Sequence, residues 1–345
     1  MQKNRFEGLT GLKGLFSLVI VFFHTLPSTP LIDGIPLTSF VRNYGGSLGN
    51  CFFFVVSGFL ISFGYRERIS SGSISFRVFL VRRLRRLYPL YILSNLVSLL
   101  INITEFGASA IDLKRIIFTI LLQNGGGLEA AYPYNGPSWF ISALFVCYMT
   151  YFLVAYHGKN GTRYCCMVGF GIIWGYSILS GRWTAPLAFA HHGLSLFAFF
   201  TGCALAEGYP LLTEKIHRWL HPAAVVVLLG AGYLMLRYGV DIIAGDVDVA
   251  FSWIVCPLVI YLAIRNRLVS RMLQFKPIRY LGQISFSIYL WHFVLYDFFR
   301  YRIFGCLPEG MTEEWRYLLY LLVMILVSSL SHRFLESGIR SKTIA

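Results

Sequence analysis

The chain has 345 residues, of which 56% are hydrophobic and only 13% charged, and its formal net charge is +14. A soluble domain carries about twice that fraction of charge. Apolar runs long enough to cross a bilayer recur from end to end, too many for one buried core. The composition excludes a soluble globular enzyme and predicts an all-α, polytopic membrane protein.

Ten spans are predicted, near 12–26, 49–65, 87–103, 138–156, 164–179, 191–207, 222–238, 249–264, 282–301 and 315–334. Together they form one membrane-embedded domain over 1–345, with no separate soluble domain. Between the third and fourth, Asp112 to Asn124 is too short and too charged at its start to span. It reads as an interfacial or re-entrant helix. Lys and Arg in alternate loops number twenty on one side and five on the other. By the positive-inside rule both termini are then cytoplasmic. The net charge is therefore mostly a topology signal and does not point to nucleic acid. The basic N-terminus lacks a small-residue cleavage site before Pro27-Ser28-Thr29-Pro30, so the first span is retained. Of seven cysteines only Cys306 falls outside a span, and none has metal-ligand spacing, so neither a disulfide framework nor a zinc site is expected.

The first span, Leu12 to Leu26, carries Lys13 near its entry and His24 near its exit. An ionisable side chain in hydrocarbon is costly unless it faces a partner or a wet cavity. Eleven residues place the two roughly 20° apart around the helix and about 16 Å apart along it. They are expected to look into one cavity from different depths. Taken singly, Lys13 also fits a snorkelling anchor and His24 an interfacial end residue.

The second span contains Ser57-Gly58, which permits close approach of a helix or a ligand. The third is preceded by FLVRRLRRLYPLY, in which Arg83 and Arg86 share a helical face. A topology anchor requires only charge, whereas arginine at every basic position suits bidentate phosphate recognition. An anionic, phosphate-bearing cytoplasmic ligand is the expectation. The fourth span opens at Gly136-Pro137-Ser138-Trp139 and continues through Ser142, ordinary anatomy for a helix start at an interface. Arg182, Trp183, His191 and His192 cluster at the extracytoplasmic ends of spans five and six. Interfacial solvation is the default reading there, but with Trp139 and Ser142 they are also candidate contacts for a carbohydrate. The ninth span brings Tyr289 and His292 to one face, with Asp297 and Arg300 beyond.

These motifs, in this order, resemble the acyltransferase-3 family of integral-membrane O-acyltransferases. Lys13-Gly14 with His24 resembles its Arg-x10-His segment, Phe52 to Leu60 its FFxxSGFL stretch, and Arg83 to Pro89 its RxxRxYP element. Leu281 to Ser285 with Tyr289-Leu290-Trp291-His292 is similar to its LGxxS…YLxH helix, and Arg333 to Glu336 to its closing RxxE turn. Two positions depart from the pattern. Lys13 replaces the usual Arg, and Ile141-Ser142-Ala143 stands where many members carry a Glu after Trp-Ser-Leu.

The resemblance implies transfer of an acyl group, acetyl foremost, from cytoplasmic acyl-CoA to a hydroxyl of an extracytoplasmic saccharide or glycan. Arg83 and Arg86 then hold CoA phosphates beside Ser57 and Gly58. His24 is general base or acyl-carrying nucleophile, Tyr289 and His292 orient donor or acceptor, and Lys13 stabilises charge near the CoA sulfur. No tightly bound cofactor and no metal are expected. Membrane lipids surround the protein, a homodimer is admissible, and the expected location is the plasma (inner) membrane of a bacterium. A saccharide transporter or flippase uses similar intramembrane groups, but no inverted repeat is evident among the spans. A scaffold of a polysaccharide-synthesis complex needs no ionisable residues inside the membrane at all.

Overall fold

The computed structural model describes residues 6–124, 132–181, 190–238 and 247–336. Among these residues there are helices and turns but no strands. The main elements are α1 (Glu7–Thr25), α2 (Pro36–Ser70), α3 (Phe76–Phe106), α4 (Leu113–Ile120) and α5 (Trp139–His157). They continue with α6 (Gly161–Leu179), α7 (Ala190–Gly208), α8 (Glu214–Tyr238) and α9 (Cys256–Arg265). The chain closes with α10 (Arg267–Leu273), α11 (Lys276–Gln283), α12 (Ser285–Phe298) and α13 (Glu313–Ser331).

Eight helices among the described residues are long and apolar enough to cross a membrane. The two remaining predicted spans correspond to α6 and α12. Arg163 and four glycines dilute α6, and α12 is only 14 residues long. α12 starts afresh after Ile284 and runs into a π-helical turn over Phe299–Ile303. Arg182 and Trp183 lie outside the described residues.

The short helix between α3 and Asn135 is re-entrant. Asp112 caps α4 by accepting from the backbone N–H of Arg115. At the far end the carbonyls of Thr119 and Ile120 accept from the hydroxyls of Tyr91 and Tyr88. Those tyrosines lie fifteen or more residues back from the end of α3, about 22 Å along its axis. α4 therefore runs back alongside α3. Arg115 fastens the returning chain by donating to the carbonyls of Tyr132 and Pro133.

α1 is the hub of the bundle and packs on α2, α9, α10, α11 and α12. Small residues allow this. A Cβ on Gly8 would strike the carbonyl of Ala263, one on Gly11 the carbonyl of Leu273, and one on Gly14 the backbone of Gly282. Conversely, a Cβ on Gly282 would overlap the carbonyl of Thr10. In a bilayer, where lipid tails are as apolar as leucine, such backbone approach is what holds helices together.

This packing makes Gly282→Val a test of the α1–α11 contact. The substitution is expected to lower thermal stability in detergent by roughly 1–3 kcal/mol, the usual range for overpacking. Gly64, in mid-helix with nothing within 4 Å of a built Cβ, gives the opposite expectation. Gly64→Ala should leave stability unchanged or raise it by about 0.5–1 kcal/mol. Equal melting of the wild type and Gly282→Val would show that the contact does not hold the bundle.

Candidate active site

His24 and His292 meet. The last turns of α1 place His24 Nδ1 3.0 Å from the carbonyl oxygen of Ile20 and 3.2 Å from Nε2 of His292. His292 is completely buried, with its Nδ1 2.7 Å from the carbonyl oxygen of Tyr289. A carbonyl can only accept, so in the neutral rings each Nδ1 carries the proton. His292 Nε2 is then an acceptor, and His24 shares its Nδ1–H between that atom and Ile20. His24 Nε2 is then unprotonated and lies outside the contact between the two rings, on a ring that is only half-buried. The arrangement fixes both tautomers through hydrogen bonds alone.

The backbone around the pair is tied down from two sides. Tyr320 of α13 donates its hydroxyl to the carbonyl of His292 at 2.9 Å, and Thr25 lies 3.0 Å from the Tyr317 hydroxyl. On the other side, the turn before α5 carries Asn135, which is fully buried. Its side-chain nitrogen donates to the Leu290 carbonyl at 2.8 Å and to Ser94 Oγ at 3.1 Å. Its backbone N–H donates to Asn95 Oδ1 at 3.0 Å, while Asn95 donates in turn to Ser138 Oγ and to the Tyr91 carbonyl. Two residues further on, the Pro137 carbonyl accepts the Tyr289 hydroxyl at 2.6 Å. Asn95 and Asn135 were missed in the sequence. The signal available there was, for Asn95, an Asn in the middle of a predicted apolar span.

Lys13, Ser57, Arg83, Arg86 and Tyr289 line one cavity of about 390 Å³. Three cationic side chains and no Asp or Glu are among its lining residues. Arg83 Nη2 donates to the Tyr65 hydroxyl at 2.6 Å, and its guanidinium lies 4.8 Å from the Tyr65 ring centroid. The Nε of Arg83 is buried and has no hydrogen-bond partner among the described residues. Such a wall suits a polyanion.

Several predicted residues fall elsewhere. His24 does not line this cavity, contrary to the expectation that it shares one with Lys13. Tyr289 stands between them, its ring 6.0 Å from that of His292. Gly58 also faces away. A Cβ there would overlap the carbonyl of Phe199, so the Ser57-Gly58 pair divides its work, with Ser57 on the cavity and Gly58 packed on α7. Ser142 is buried inside the bundle and reaches no opening. Trp139 and His191 do come together, with rings stacked at 4.2 Å, and the Tyr132 hydroxyl lies 2.8 Å from His191 Nε2. His192 is buried beside them in sequence. The closing turn adds Glu336, which accepts from Ser287 on α12 and pairs with His332 at 3.3 Å.

Asn135→Ala removes the donor to Leu290 while leaving the backbone turn intact. It should cost about 1–3 kcal/mol, the penalty for breaking a buried polar contact, seen as earlier thermal unfolding in detergent. An unchanged melting curve would show that this network does not brace α12.

Comparison with known proteins agrees with the geometry. An O-acetyltransferase OatA from Staphylococcus aureus is 25% identical over 328 residues, covering 86% of this chain and 53% of its own. A putative peptidoglycan O-acetyltransferase YrhL from Bacillus subtilis is 24% identical, over 99% of this chain and 56% of its own. The peptidoglycan O-acetyltransferase OatA of Listeria monocytogenes is 24% identical, over 96% of this chain and 55% of its own. The chain thus spans about half the length of these curated relatives. No solved structure matches it. The acyltransferase domain of the acyltransferase-3 family matches residues 6–333, nearly the whole described chain, and the protein belongs to that family.

Proposed function

We propose that this protein is a membrane O-acyltransferase that moves an acyl group, acetyl foremost, from cytoplasmic acyl-CoA to a saccharide hydroxyl on the other side. The observation that carries the reading is the division of the site. An acid-free cavity with Lys13, Arg83 and Arg86 lies on one side of Tyr289, and a hydrogen-bonded histidine pair lies on the other. A phosphate-rich donor that cannot cross the bilayer and an acceptor that stays outside require such a bridge. The names of the relatives make a peptidoglycan sugar the first acceptor to try.

In this reading His24 Nε2 takes the proton from the acceptor hydroxyl as the oxygen attacks the thioester carbonyl. The new C–O bond forms, the C–S bond breaks, and the proton passes from His24 to the departing thiolate, giving the ester and CoA. His292 Nε2 accepts from His24 Nδ1–H throughout and so stabilises the imidazolium while it exists. The same lone pair serves if His24 is itself acylated first. Lys13 stands with the two arginines, about three helical turns from His24. Its charge therefore serves the donor's phosphates and not the sulfur, a different role from that expected of it in the sequence.

His24→Ala should abolish transfer of radiolabel from acetyl-CoA to solubilised peptidoglycan fragments, while expression and membrane insertion remain normal. Turnover at more than a small fraction of the wild-type rate would remove His24 from the chemistry. Replacing Arg83 and Arg86 together by Gln should leave the topology intact, because five arginines remain between Arg66 and Arg85. Each lost charge-assisted contact is worth about 1.5–3 kcal/mol. CoA affinity measured by calorimetry should therefore fall by roughly a hundredfold or more. Unchanged affinity would place the donor elsewhere.

A further inference from the structure

At Tyr289, whose ring lies 6.0 Å from that of His292, the cavity wall is a cluster of three aromatic rings. Phe53, Phe140 and Tyr289 all line the donor cavity. Their ring centroids are separated by 5.4 Å (Phe140–Tyr289), 6.1 Å (Phe53–Tyr289) and 6.3 Å (Phe53–Phe140). Rings at these separations are in mutual van der Waals contact, in tilted or edge-to-face arrangements. An alkyl chain has no free passage between them. Yet the reading given above, on which this inference rests, requires a thioester held by its CoA portion in the cavity to present its carbonyl on the His24 side. The acyl group must then be seated at the three rings.

The rings are not equally fixed. Tyr289 is held through its hydroxyl by the Pro137 carbonyl at 2.6 Å. Phe140 is 6% exposed and lies against Phe54 with centroids 4.2 Å apart. Phe53 is only half-buried, and its further ring contact is edge-on to its sequence neighbour Phe52 at 5.3 Å. It has the least to lose by turning.

We propose that Phe53, Phe140 and Tyr289 form the acyl-length filter of the enzyme, with Phe53 the ring that yields. An acetyl group requires a small displacement of Phe53. Each further methylene has to be fitted against two braced rings, and interiors packed at crystal density resist such insertion. A well-packed pocket discriminates by about 10- to 200-fold for one methylene.

The test measures binding, so it does not depend on knowing the acceptor. CoA, acetyl-CoA and butyryl-CoA are titrated into the full-length wild type, Phe53→Ala and Phe53→Trp by calorimetry in detergent. The wild type should bind butyryl-CoA at least about tenfold more weakly than acetyl-CoA. Phe53→Ala should bring the two within about threefold, and Phe53→Trp should widen the gap. Because Phe53 lines the donor cavity, its replacement can also change CoA affinity, so the readout is the acetyl-to-butyryl ratio within each protein, and CoA binding by each variant verifies that it is folded. Equal discrimination in the three proteins, or none in the wild type, overturns the filter while leaving the donor site standing. Failure of the wild type to bind CoA at all overturns the donor reading and the filter with it.

Discussion

The contact on which the site depends is the backbone approach of α1 to the C-terminal half of the bundle. Gly8, Gly11 and Gly14 bring α1 against α9, α10 and α11 with no side chain between them. A helix seated that closely has little freedom to rotate, and its other face is set. That face carries Lys13 into the cavity and His24, three turns on, against His292. A rotation of one residue would leave a lysine in apolar packing and a histidine in lipid, each at a cost of several kcal/mol. Glycine packing and ionisable placement are thus two results of one helix orientation.

Beside that axis a group of buried polar side chains is connected by hydrogen bonds. Ser94, Asn95, Asn135 and Ser138 hydrogen-bond to one another and to the carbonyls of Tyr91 and Leu290. Tyr289 and Tyr320 then fasten the backbone on either side of His292. Hydrogen bonds are strong in such a low-dielectric surrounding and stiffen the network, although Asn135 Oδ1 has no partner among the described residues. Rigidity is what the histidine pair needs, since a general base must lie within hydrogen-bond reach of its proton.

Much of this was legible in the sequence. The all-helical membrane architecture follows from hydropathy and length, and the family from five short motifs in order. The prediction of ten spans exceeded the eight helices that are long and apolar enough, because the sequence does not reveal that α12 is cut short by Ile284 and a π turn. Helical periodicity correctly put Lys13 and His24 on one face. It did not reveal that Tyr289 lines the cavity with Lys13 while His24 lies outside it against His292, because nothing local says which helix faces which. Gly58 was assigned to the ligand when its partner is the Phe199 carbonyl, since close approach looks the same in sequence whether a cofactor or a helix arrives. The joint role of Asn95 and Asn135 exists only once α3 and α12 are neighbours.

The re-entrant α4 also bears on how the chain is made. A segment of eight helical residues headed by Lys114 and Arg115 cannot partition into a bilayer by its own apolarity. Its end is fastened to α3 by the hydroxyls of Tyr88 and Tyr91, just beyond the arginine cluster, which donate to the carbonyls of Ile120 and Thr119. During biosynthesis α4 must therefore wait at the membrane surface until α3 is in place and then fold in against it, drawing Tyr134 and Asn135 after it. The buried network that braces α12 is in this sense a late product of assembly, completed only when the ninth predicted span has been made.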